Sequence, residues 1–232
     1  MKDPIGKAIQ EFAKTGLNKD IIVQSDICED DVIPSEYLFR SFEEMPRLEQ
    51  IALEKCTGKT LDVGAAAGIH AKYLIKNGID VECIDISSLS IDYLKKESLS
   101  ARCIDFFELK NEKFDTILML MNGIGISGKL SNLENTLLQA KSLLQFGGQI
   151  ICDSSDVKFL FEDEDGGMWV DLNTEYYGNF KFTMLYDKHI SAEFEWLYVD
   201  FATFKEKAEN VGLTIEKIYD KNDQFLVILK EK

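Results

Sequence analysis

The stretch LDVGAAAG, Leu61 to Gly68, places one acid, two glycines and three alanines between an apolar run and a helix-forming segment, IHAKYL. A chain that passes from strand to helix through residues this small leaves backbone N–H groups unpaired and lets a ligand approach closely. Gly64 and Gly68 can take positive φ without strain, and Ala65, Ala66 and Ala67 add little bulk. The start of a helix favours a negative group, and the turn alone does not choose between a pyrophosphate and a carboxylate. The next apolar run, VECID, ends on Asp85, 23 residues beyond Asp62. An acid there can accept both hydroxyls of a ribose, and Ile86 offers an apolar face to a base. In CIDFF, Asp105 could accept from an adenine amino group while Phe106 packs near the ring. Each acid alone could be a helix cap or a loop residue. Three acids at the ends of consecutive strands, on one edge of a sheet, point to one site.

The elements that must hold these residues follow from periodicity. Short Val-, Ile- and Leu-rich runs fall at Thr60–Val63, Val81–Asp85, Ala101–Ile104, Thr116–Met121 and Gln149–Cys152. Helix-period segments lie between them, with Ala67, Ala71, Leu74 and Ile75 on one face, and Leu133, Leu137, Leu138, Lys141 and Leu144 forming a stripe with one charged member. Alternating strand and helix predicts a parallel sheet covered on both faces. Ser131 with Glu134 has the pattern of a capping box, and Gly147-Gly148 is expected to end that helix. Another helix is expected after Pro46, and one more from Asp200 to Gly212. The final runs, Leu213–Tyr219 and Gln224–Leu229, are separated by too few residues for a parallel crossover and must form an antiparallel hairpin. Residues 1–45 read as an N-terminal helical and irregular appendage, with a helix around Ile5–Lys14 and then an acidic stretch interrupted by Pro34. Residues 46–232 read as the core domain.

With these motifs the chain resembles the class I S-adenosylmethionine-dependent methyltransferases over roughly Pro46 to Leu229. The resemblance rests on LDVGAAAG, Asp85, Asp105-Phe106 and KFDTILMLMNGIG. It implies an α/β three-layer Rossmann-like sandwich, whose seven-stranded, mostly parallel sheet has its last strand inserted antiparallel between the fifth and sixth. It also implies S-adenosyl-L-methionine as cofactor, with Asp62, Gly64, Ala65, Ala66, Gly68, Asp85, Ile86, Asp105, Phe106 and Asn122 as the cofactor-binding residues. Asn122 reads equally as a turn residue before Gly123. The middle glycine usual in the family is Ala66 here, which restricts the dihedrals of the turn. The same alanine stands where a G-x-G-x-x-G dinucleotide motif demands glycine, so an NAD(P)-dependent oxidoreductase is the weaker alternative. A catalytically silent cofactor-binding protein is a third.

The remaining expectations concern partners. A formal charge of -15 with no basic block argues against nucleic acid. No apolar run is long enough to span a membrane, the N-terminus lacks a signal-peptide pattern, and the five cysteines include no CxxC pair, which together suggest a cytoplasmic protein with reduced thiols. Cys83, Cys103 and Cys152 are expected to be buried in strands. Neither His70 nor His189 has a second ligand at metal spacing, so no metal site is expected. His70 reads as a surface or capping residue ahead of a proton-transfer role. Arg40 could meet a cofactor carboxylate, but pairing with Glu43 or Glu44 is favoured.

Residues 161–204 hold 12 of the 25 aromatics and both tryptophans, a density that suggests a lid at about 161–199 over a small-molecule acceptor. Within it GNFKFTMLYD and AEFEWLYV alternate as two strands. The aromatics could equally just pack the lid onto the core. The acidic run Glu162–Asp165 reads as a solvated loop. The sharper alternative is that it gathers a cationic amine against Trp169 or Trp196. Composition assigns no catalytic base and leaves the oligomeric state open.

Overall fold

The computed structural model describes residues 3–162 and 176–232 of the 232-residue chain. Asp3 opens the first helix, α1 (Pro4–Thr15), by accepting the Gly6 N–H at 2.7 Å, with proline inside the first turn. Two strands follow, β1 (Asp20–Ser25) and β2 (Asp31–Pro34), in the stretch expected to be irregular. Their charged residues hid an alternation in which Ile21 and Val23 are buried while Ile22 is exposed. Helix α2 (Arg47–Lys55) starts directly after Pro46, as its spacing predicts.

The α/β alternation then runs β3 (Thr60–Val63), α3 (Ile69–Lys76), β4 (Val81–Asp85), α4 (Ser88–Lys96), β5 (Ala101–Cys103), β6 (Phe114–Met119), α5 (Leu133–Ser142) and β7 (Leu144–Ser155). Next come β8 (Asn179–Tyr186), β9 (His189–Ile190), β10 (Phe194–Leu197), α6 (Phe201–Asn210), β11 (Leu213–Lys221) and β12 (Gln224–Glu231). The main sheet has the order β11-β12-β7-β6-β3-β4-β5. Strands β7, β6, β3, β4 and β5 are parallel, and β12 pairs antiparallel with both β7 and β11. This is the three-layer, seven-stranded arrangement expected, with the last strand between the fifth and sixth of the core.

Apolar side chains fill both faces. One cluster joins Leu74, Ile91, Leu94 and Leu118 with Ile9, Ile21 and Leu48, so the N-terminal segment packs into the same core as α3 and α4. The other joins Leu61, Ile117, Leu137 and Ile150 with Phe204 and Leu229 under α5 and α6. Burying each such side chain contributes about 1.5–3 kcal/mol.

Three local expectations need correcting. Ser131 makes no capping box: α5 begins after a short 3-10 helix with Asn132 at its cap and no side-chain cap bond, while Glu134 pairs with Lys207 at 3.1 Å. Gly147-Gly148 does not end that helix, which stops at Ser142; both glycines lie inside β7. There Gly147 has φ of 78°, and a Cβ on Gly148 would sit about 3 Å from the carbonyls of Gln145, Asp115 and Phe114. They build an irregular crossing next to β6, where the register shifts. Cys103 is exposed at the edge strand, whereas Cys83 and Cys152 are buried as expected; all five thiols are free.

The second sheet is antiparallel, in the order β10-β8-β1-β2 with β9 added to β8. The two strands expected at GNFKFTMLYD and AEFEWLYV are β8 and β10, paired directly. Strands β1 and β2 from the N-terminus complete the sheet through β1 and β8, a long-range pairing invisible to local pattern. His189, expected in a loop, lies in β9. Among the described residues, no helix is long and apolar enough to cross a membrane.

Candidate active site

In a mostly parallel sheet the ligand crevice lies beyond the carboxyl ends of the strands, and at or near those ends of β3, β4 and β7 stand three acids, Asp62, Asp85 and Asp153. Asp62 in β3 is 2 % exposed. One of its oxygens accepts the Ala71 N–H in the first turn of α3, and Oδ2 is buried with no partner. The acid therefore caps the helix from below, in place of the anion its N-terminus would otherwise attract. Burial pushes its pKa up to about 6 and the neighbouring His70 opposes that shift.

The turn itself is more internally bonded than its composition implies. Gly64 and Ala65 donate to the Ile84 carbonyl, Gly68 donates to Ala65, and the Ala66 N–H reaches Asp85 Oδ2 at 2.9 Å. The expectation of several free N–H groups at Gly64–Gly68 is corrected accordingly: strand pairing and Asp85 take up those of Gly64, Ala65, Ala66 and Gly68. What remains open is space. Gly64 has φ of 74°, and a Cβ built on it would meet nothing within 4 Å. Ala66 takes φ of 48° despite its side chain, a left-handed conformation that costs on the order of 1 kcal/mol relative to glycine.

Asp85 closes this turn from β4. Its Oδ1 accepts the Ser87 N–H at 2.8 Å while Oδ2 holds Ala66. Each oxygen keeps a lone pair for a further donor. Burial raises its pKa, and the N–H groups of Ser87 and Ala66 pull it back. Beside it Ile86 is 71 % exposed, an apolar side chain held in the open by the strand end. Asp105 lies on the surface and caps a 3-10 turn through the Phe107 N–H at 2.9 Å. Phe106 is not in the crevice: it is 4 % exposed in the core, and Phe107, 43 % exposed, is the accessible ring. In a pair of adjacent aromatics no local pattern tells which one faces inward.

Asn122 follows β6 in a left-handed conformation, φ 55°. Its N–H donates to Asp153 Oδ2 at 2.9 Å, the Gly123 N–H donates to Oδ1, and Ser155 Oγ donates to the Asn122 side-chain oxygen. The reading of Asn122 as a turn residue before Gly123 therefore holds. Asp153, whose pKa burial pushes up to about 6, was missed from sequence. It ends an apolar strand as Asp85 does, so the same signal was present.

Two more residues were missed. Glu49 in α2 accepts Arg40 Nη2 on both oxygens at 2.6 Å and meets His70 Nε2 at 2.8 Å. Arg40 thus pairs with Glu49 rather than Glu43 or Glu44, and His70 is a buried partner rather than a surface residue. Both expectations failed because the packing of α2 on α3 is tertiary. At the other end, Ser87 Oγ donates to Asp3, so the N-terminal segment is tied to the crevice twice.

The antiparallel sheet borders this edge. Trp196 lies against Gly125, where a Cβ would meet the indole at 2.1 Å, and the Val199 N–H donates to Ser154 Oγ. Phe180 and Phe182 stack, Tyr198 meets both rings edge-on, and Tyr177 OH donates to Asp156 Oδ1 at 2.8 Å. Of the acidic run, Glu162 pairs with Lys158, while Asp163, Glu164, Asp165 and Trp169 lie outside the described residues. Among the described residues no group of three potential metal ligands occurs.

The crevice fits a ligand with a cationic part, hydroxyls and a flat apolar ring: a buried acid with an unpartnered oxygen, a second acid with open lone pairs, and Ile86 and Phe107 exposed at the rim. A family model described as a methyltransferase domain matches residues 61–152, from within β3 to within β7. The S-adenosylmethionine-dependent methyltransferase of Bacteroides fragilis, solved with S-adenosyl-L-homocysteine, is 41% identical at a TM-score of 0.92, over 99% of this chain and 95% of that one. The chain belongs to the S-adenosylmethionine-dependent methyltransferases, and its cofactor is S-adenosylmethionine. The nicotinamide alternative is thereby set aside. Two further structures share the fold. The CcbJ methyltransferase of Streptomyces caelestis is 14% identical, TM-score 0.62, over 82% of this chain and 94% of that one. An S-adenosylmethionine-dependent methyltransferase of Clostridium acetobutylicum is 15% identical, TM-score 0.58, over 82% and 93%. A search of curated protein sequences returned no match.

Proposed function

We propose that this enzyme methylates a small molecule by in-line displacement, with the acceptor admitted between the crevice and the antiparallel sheet. The observation that carries this reading is the position of Trp196 in β10, packed against Gly125 in the turn after β6, with the nearby Val199 N–H bonded to Ser154 of β7, so that aromatic side chains of the second sheet stand beside the ends of these strands. A wall of this kind suits a compact ligand better than an extended polymer, and a charge of -15 disfavours nucleic acid.

In this reading Gly64 to Gly68 admit the amino-acid end of the cofactor and Asp62 answers its positive charge. Asp85 receives the ribose hydroxyls, and Ile86 with Asp105 borders the base, where Phe107 takes the part expected of Phe106. Asn122, fixed by Asp153 and Ser155, faces the reacting end. When bound, the cofactor supplies a methyl group already activated on a positively charged sulfur. What the protein then adds is alignment and exclusion of water rather than a strong base. The Tyr177 hydroxyl donates to Asp156, and burial first, then its bonds to Tyr176 and Asp156, push its pKa far up.

We read residues 46–232 as the catalytic core, the span at about 161–199 as the acceptor cover, and residues 1–45 as the segment that completes that cover. The location we propose is the cytoplasm. Incubating the enzyme with methyl-labelled cofactor and cell extract tests the acceptor class: label is expected in the small-molecule fraction. Label confined to the protein or nucleic-acid fraction overturns the reading.

A further inference from the structure

We infer that Glu49 is a positioning residue for cofactor binding, acting through His70 on the turn that receives the cofactor's amino-acid end. The inference rests on that assignment of the turn. Three groups that would each be solvated alone are buried together: Arg40, Glu49 and His70 are 6 %, 4 % and 7 % exposed. They come from three separate places, the N-terminal segment, α2 and the first turn of α3.

A buried cluster of this kind is poor value as pure stabilisation, because desolvating the charges offsets most of their attraction and packed apolar side chains would serve as well. It does impose a unique register. Glu49 is held from two sides, with Arg40 Nη2 donating to both its oxygens and the His70 ring meeting one of them. Arg40 is in turn anchored to the Tyr37 carbonyl at 2.6 Å, with its guanidinium 3.8 Å from the Tyr37 ring centre.

His70 stands two residues after Gly68 and directly before Ala71, whose N–H is held by Asp62. Fixing the His70 ring therefore fixes the start of α3, and with it the angle at which the turn from Gly64 presents its open side. Burial alone would push the Glu49 carboxyl up, but the His70 bond and the Arg40 charge hold it below its ordinary value, so it remains ionised. The side chain sits in the second layer behind the crevice and touches the turn only through His70.

Calorimetry with two probes separates positioning from general support. S-adenosylhomocysteine carries the amino-acid end, and methylthioadenosine lacks it. Glu49→Gln is expected to weaken S-adenosylhomocysteine by about tenfold or more while leaving methylthioadenosine within about twofold, since only the turn is displaced. His70→Asn keeps the Arg40 pair and is expected to show the same selective loss; it decides the matter should the Glu49 variant fail to fold. Equal weakening of both probes, or no weakening of either, overturns the positioning role. If the wild-type enzyme binds both probes equally, the assignment of the turn is wrong and the inference falls with it.

Discussion

The edge of the parallel sheet and the antiparallel sheet beside it differ in what they bury. At the edge, Asp62, Asp85, Asp153 and Glu49 are withdrawn from water, and each is spent on backbone N–H groups or on a basic partner. In the antiparallel sheet the buried matter is Val23, Phe180, Phe182 and the rings around them. The edge tolerates a stability penalty to keep charge and open lone pairs at fixed positions. The sheet does the reverse, gaining stability from apolar contact and committing few polar groups. One region is thus specified by hydrogen bonds and the other by shape, and substitutions should divide the same way.

The largest separation is expected from Asp85→Ala. It removes the acceptor for both Ala66 and Ser87 and so opens the turn; affinity for S-adenosylhomocysteine should fall by about a hundredfold or more by calorimetry. Trp196→Ala should do the opposite. Unfolding by urea should show a loss of about 3 kcal/mol, with cofactor affinity within about twofold. Loss of cofactor binding in that variant would erase the distinction between the two regions.

Acidity gives a third test. Asp62 titrates near 6 when folded, against 3.8 for the free group, because burial disfavours its charge. The folded state therefore binds more protons between those values, and stability from this group is fully present below about pH 4 and is lost as pH rises to about 6. Asp62→Asn should match the wild type near pH 4 and exceed it by about 3 kcal/mol at pH 7, yet bind the cofactor more weakly. A variant that gained both would show that the edge carries no functional penalty. The smallest effect is expected for Ala66→Gly, which relieves the left-handed strain. Its gain should be no more than about 1 kcal/mol in denaturant, with the turn otherwise unchanged.

Much of the parallel half was legible in the chain. Strand and helix periods, the small residues after β3 and the acids closing β4 and β5 are local signals, because alternation across a covered parallel sheet must repeat in the sequence. Where the local signal was ambiguous it misled. Gly147-Gly148 serves a bulge as readily as a helix end, and Phe106-Phe107 does not announce which ring turns inward.

The sequence by itself determined the order of elements in the parallel half, the antiparallel hairpin and the turn that marks the cofactor edge, since each follows from residues close together in the chain. Only the tertiary structure decided that β1 and β2 join β8 in one sheet, that Arg40 reaches Glu49 and His70, and that Asp153 fixes Asn122. Those pairings join residues that distance along the chain keeps independent. Their energies come from desolvation and geometry that exist only once the layers have packed.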